Sequence, residues 1–174
     1  IQDEISGEFV EELQIHLVGA RPRANRTDPE TPALYLQALH LHSEESDHEL
    51  VEELLRQALL RDPDYVPALN LMVAAIYFLT GDQGATYSID EGISLMRRYV
   101  DRVLAIDPEN STATADRGWM AVFYNNDFET ATSYINRALS YDPHDSNALF
   151  TGGMISARMG RNDDAIALTE AALL

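Results

Sequence analysis

The side chains best suited to bind a metal lie between His40 and His48, where three histidines alternate with Glu44, Glu45 and Asp47. Imidazole and carboxylate are the ligands that zinc and other transition metals select. The spacing argues against such a site. His40 and His42 point to different sides of a helix, and no two histidines in the chain stand four apart. A solvated turn is the simpler identity. Asp82, Asp90 and Glu91 lack the rhythm of a calcium loop. Glu11-Glu12 and Glu52-Glu53 are adjacent acids, which do not face each other on a helix, so they read as solvated faces rather than paired catalytic carboxylates. There is no cysteine and no lysine. Thiolate chemistry, a Schiff-base lysine and a phosphate-loop lysine are therefore all excluded. No Gly-x-Ser-x-Gly elbow is present. The residues imply no enzyme and no cofactor.

The charge balance narrows the partners. Twelve basic against 29 acidic residues give a net charge of −17. Such a field repels phosphate backbones and anionic lipid, so neither nucleic acid nor a membrane surface is the expected partner. The longest apolar run, residues 69–79, is too short to span a bilayer. Neither cytoplasm nor periplasm is singled out.

The elements that position these residues are announced by a recurrence. Ala58 to Pro63, Val103 to Pro108 and Ala138 to Pro143 each run from a small or slim apolar residue through one helical turn into Asp-Pro. A fourth copy starts at Ala165 and reaches Leu174 without its Asp-Pro. Repetition of one supersecondary unit marks a stacked helical array. The spacing predicts four helix pairs: about Glu30–His42 with a second helix ending at Arg61; Pro67–Leu79 with Asp90–Ile106; Thr112–Tyr124 with Phe128–Ser140; Ser146–Met159 with Asp163 onward. The units then fall near 30–65, 66–110, 111–145 and 146–174. Pro63 to Pro108 is 45 residues and Pro108 to Pro143 is 35. The excess is expected at Gly81–Ser88, as an extended loop on one rim. Upstream, Ile1, Ile5, Phe9, Leu13 and Leu17 trace an amphipathic helix within residues 1–20, and residues 21–29 read as a linker. The chain reads as an excised piece of a longer protein.

These residues resemble the tetratricopeptide repeat, a helix–turn–helix unit of 34 residues. Ala131, Ile135, Ala138 and Pro143 of unit three match its second half, and Gly118 its small position in the first helix. Unit four supplies Leu149, Gly153, Gly160, Ala165 and Ala172; unit two, Leu69, Met72, Val100, Val103 and Pro108; unit one, Val51, Leu55, Ala58 and Pro63. The first helices of units one and three are about one residue out of register, and Val73 stands where a glycine is usual. A shorter likeness, carried by Ile1–Ile5, Thr27–Glu30 and Tyr35-Leu36, is to the junction before such repeats in bacterial signalling proteins, after an adenylate cyclase or OmpR-type winged-helix domain.

The resemblance implies an all-α, right-handed superhelix whose first helices line a concave groove. Carried over by position, the groove residues are Asn70, Ala74 and Tyr77; Ala115, Trp119, Val122 and Phe123; Phe150, Met154, Ala157 and Arg158. Trp119, Phe150 and Met154 could equally be core between units. The expected function is binding of a peptide, a partner helix or a second copy of the chain. The rival is sensing of a small-molecule effector that controls an upstream cyclase or DNA-binding domain.

Overall fold

The computed structural model describes residues 28–44, 47–81 and 85–173. The amphipathic segment at 1–20 and most of the 21–29 linker lie outside them. Among the described residues eight helices follow in chain order: α1 Glu30–Ser43, α2 His48–Arg61, α3 Val66–Leu79, α4 Ile89–Ile106, α5 Ser111–Asn125, α6 Phe128–Tyr141, α7 Ser146–Arg158 and α8 Asn162–Ala171. They pair as α1 with α2, α3 with α4, α5 with α6 and α7 with α8. Each pair then packs on the next through α2–α3, α4–α5 and α6–α7. The result is an all-helical solenoid.

Local chemistry starts and stops each helix. Asp47, Asn110, Asp127 and Asp145 accept backbone N–H bonds from the first turns of α2, α5, α6 and α7. Ser88 and Glu91 form a reciprocal capping box on α4. The three Asp-Pro links end α2, α4 and α6 identically. Asp62, Asp107 and Asp142 adopt extended backbone, with φ of −133°, −133° and −139°, and their N–H groups donate to the carbonyls of Ala58, Val103 and Ala138. The following proline forces that extended geometry. Each Asp carbonyl then accepts from the residue three on, Tyr65, Asn110 or Asp145, so every link leaves at the same angle.

Ala58, Val103, Ala131 and Ala138 are fully buried where paired helices cross. Gly118 and Gly153 allow close approach on the other side. A Cβ at Gly118 would lie 3.1 Å from the Ala131 carbonyl oxygen, and one at Gly153 would lie 2.5 Å from the Thr169 hydroxyl. Leu55, Met72, Ile76, Met96 and Val100 fill the first two units, and Val122, Ile135 and Ile155 the last two.

The unit lengths correct the expectation about the insert. From helix cap to helix cap, Tyr65 to Ser88 spans 23 residues where Asp145 to Arg161 spans 16. The remaining excess lies in α4 itself, which has 18 residues where α2 and α6 have 14. The insert therefore divides between a loop and an extra turn of helix. The returning loop pairs back: Gly81 N–H donates to Tyr87 O and Tyr87 N–H to Leu79 O. The Tyr87 hydroxyl donates to Glu52 at 2.5 Å, and Arg56 donates to both at 2.6 and 3.0 Å. Glu52 is thus buried and paired, not part of a solvated face.

Candidate binding groove

The first helix of each unit, α1, α3, α5 and α7, presents one side to a continuous concavity of about 1970 Å³. These helices suit that duty because they carry few charges; α3 has none. Asn70, Ala74 and Tyr77 of α3, Trp119 of α5, and Phe150 and Met154 of α7 all line it. Tyr77 and Phe150 are 46% and 49% exposed, far more than core rings. Trp119 is half-buried. Its indole meets Tyr77 edge-on at 5.0 Å and stacks on Phe123 at 4.7 Å, and its other ring neighbour is Tyr124. The ring thus joins the walls contributed by units two and three while keeping one side open to the groove.

Ala115 and Val122 are elsewhere. Their exposures are 0% and 1%, and they pack among Ala131, Ile135, Ala148 and Ile155. Register is kept, since Ala115 stands five residues after its helix cap as Asn70 and Phe150 do, and Val122 twelve as Tyr77 does; their short side chains are covered by the core, and the one extra residue of unit three falls at the end of α5. Asn126 absorbs it in the left-handed conformation, with φ of 54°. The groove side of α5 is Ser111, Thr112, Asp116, Trp119 and Met120. Phe123 stands behind Trp119, with the Arg158 guanidinium 4.1 Å above its ring. Ala157 is exposed and is not among the lining residues.

A polar line that the repeat positions did not indicate runs along the floor. Asn70 Nδ2 donates to Asn110 Oδ1 at 3.3 Å, bridging units two and three. Thr112 Oγ1 donates to Asp145 at 2.7 Å, and Asn147 Nδ2 to Asp116 Oδ1 at 2.9 Å, bridging units three and four. Asn70 Oδ1 is buried without a partner. Burial, with a smaller contribution from the Asp145 charge, pushes the Asp116 carboxyl up to about 7 against the opposing Asn147 hydrogen bond. On α1 and the turn before α3, Tyr35 and Tyr65 meet edge-on at 5.7 Å. Burial raises both phenols, Tyr65 to about 12.

The histidines that opened the sequence reading are only partly brought together. His40 faces Glu44 at 3.8 Å. His48 stacks on Phe78 at 4.4 Å, and His42 meets both rings edge-on at 5.6 Å. Burial, then the His48 charge, holds the His42 imidazole below its ordinary range. The Asp47 carboxylate is committed to capping α2. Packing against Phe78 makes His42 and His48 part of an aromatic cluster rather than a solvated turn.

No protein-family model matches the chain, and no curated protein matches it. Solved structures do. A thermophilic TPR protein of Thermus thermophilus, TTC0263, superposes with a TM-score of 0.66 at 18% identity, over 86% of this chain and 74% of that one. PilW, a type IV pilus biogenesis factor, gives 0.60 at 18% identity over 84% of this chain. Pseudomonas aeruginosa pilF gives 0.59 at 18% over 86%. The chain spans 62% of the length of each of the latter two. At these identities the likeness establishes the fold, a tetratricopeptide-type solenoid.

Proposed function

We propose that this chain is a protein-interaction module that holds a polypeptide segment of its partner in the groove between α1, α3, α5 and α7. The observation that carries this reading is the row of partly exposed rings, Tyr77, Trp119 and Phe150, set by successive units along one open channel. Rings at that spacing are anchors for an extended chain or a helix face. Asn70, Ala74 and Met154 complete the contact surface, with Phe123 and Arg158 bracing Trp119 from behind. The reading is of binding rather than catalysis: the groove carboxylates Asp116 and Asp145 are engaged by amides, a hydroxyl and a helix terminus. The solenoid fold of TTC0263, PilW and pilF agrees with such a role.

Trp119 is the chain's single tryptophan, so it reports on its own site. Peptides selected by the full chain from a random phage-displayed library should shift its emission and lose affinity on Phe150→Ala. Binders that leave the emission unchanged and ignore Phe150→Ala would remove the groove from the function.

The same proposal includes membership of a larger bacterial signalling protein, supported by the junction-like residues Ile1–Ile5, Thr27–Glu30 and Tyr35-Leu36. It also includes self-association through residues 1–20. Sedimentation equilibrium of the chain with and without those residues tests it: an unchanged mass rules out a swapped helix.

A further inference from the structure

The described arginines of this solenoid stay out of the groove, while acids lie on both sides. Among the described residues, the groove lining includes Asp62, Asp107, Glu109, Asp116, Asp142 and Asp145 but no arginine. Asp64, also in the lining, is the one whose carboxylate is paired with an arginine, Arg102. Among the described residues, most arginines lie on the second helices: Arg56 and Arg61 on α2, Arg97, Arg98 and Arg102 on α4, Arg137 on α6. Arg61 is held by Asp28 and Glu30, and Arg117 by Asp101. The Asp-Pro links place one carboxylate per unit along one edge of the channel, at Asp62, Asp107 and Asp142, and Asp116 adds one to the floor.

We propose that the segment held in the groove is cationic, an extended stretch of a partner protein whose arginine or lysine side chains reach the carboxylates at the unit links and at Asp116 and lie across Tyr77, Trp119 and Phe150. This rests on the groove reading above and adds the chemistry of the guest. Two features select for it together. A concave surface lined by one sign of charge concentrates the opposite sign. Rings that line the same channel give a guanidinium or ammonium a second, cation–π contact. An acidic segment would meet uncompensated carboxylates. A second copy of this chain, with its net charge of −17, meets the same repulsion, so it ranks below a basic partner.

The test pans the full chain against a random-peptide phage library and measures the binders by fluorescence anisotropy at about pH 8, where Asp116 is ionised. Binders should carry net positive charge. Their Kd should rise at least about tenfold between roughly 50 and 500 mM salt. Asp116→Asn and Asp142→Asn, both near-isosteric, should each weaken them about two- to fivefold. Glu53→Gln and Glu129→Gln, on the exposed faces of α2 and α6, should change little. Circular dichroism confirms that each variant is folded. Neutral or acidic binders that still depend on Trp119 and Phe150 would overturn the charge assignment and leave the groove reading standing. Cationic binders weakened equally by the outer-face variants would overturn it too, since they would be following the field of the whole chain. Binders indifferent to Trp119→Ala and Phe150→Ala would overturn both.

Discussion

Replacing Asp116 by asparagine should change how stability depends on pH. The Asp116 carboxyl is pushed up to about 7 in the folded chain, whereas an unfolded aspartate titrates near 3.9. Folding therefore takes up a proton between about pH 4 and pH 7. The stabilisation from the neutral carboxyl is complete below about pH 4 and is lost as pH rises through about 7. The gap between about 4 and about 7 corresponds to at most about 4 kcal/mol. Asp116 lines an open groove, and water there screens the charge, so about 1–2 kcal/mol is expected. The asparagine of the Asp116→Asn variant would keep the acceptor for Asn147 and has nothing to titrate. Urea unfolding followed by helical circular dichroism at about pH 4.5, 6 and 8 measures the difference. The variant should match the parent at the acid end and exceed it by about 1–2 kcal/mol at the alkaline end. Glu53→Gln, which removes an exposed charge, serves as the control. Parallel profiles for parent and Asp116→Asn would refute the reasoning and make Asp116 an ordinary surface carboxylate.

Ala138→Phe should overpack the α5–α6 crossing, where Ala138 is fully buried, and cost about 1–3 kcal/mol in chemical denaturation. Ser88→Ala removes the capping box that starts α4 and should lower stability by about 1 kcal/mol in the same assay. Tyr87→Phe removes a hydroxyl bonded to both Glu52 and Arg56. It should cost about 1–3 kcal/mol and speed amide exchange in residues 80–88 ahead of the rest of the chain.

The fold was legible because its punctuation is chemical. A proline pushes the residue before it out of the helical region, and the three Asp-Pro links that end α2, α4 and α6 have nearly the same dihedral angles. The concavity was legible where its positions carry large side chains. Tyr77 and Phe150 line it; Ala115 and Val122 hold the matching positions five and twelve residues after their cap, but their short side chains are covered by the core. The extra residue of unit three left a trace in Asn125-Asn126-Asp127, since asparagine tolerates the left-handed conformation better than most residues. Asp116, flanked by Ala115 and Arg117, looks like a solvent-facing acid. Only the Asn147 amide, brought 31 positions back along the chain by the stacking, turns it into a groove residue. The His42–His48–Phe78 cluster was illegible for the same reason, as it joins helices from two different units.

The Tyr87 clasp sets where this solenoid comes apart. In a linear array each unit is held only by its neighbours, and the clasp ties the loop of unit two to α2 of unit one in addition to the ordinary helix contacts. At the opposite extreme α8 places no side chain out of solvent's reach. Units one and two should therefore stay joined after the contacts between the later units have parted. Tyr77 and its neighbours on α3 would keep a formed half-channel while Phe150 has already let go.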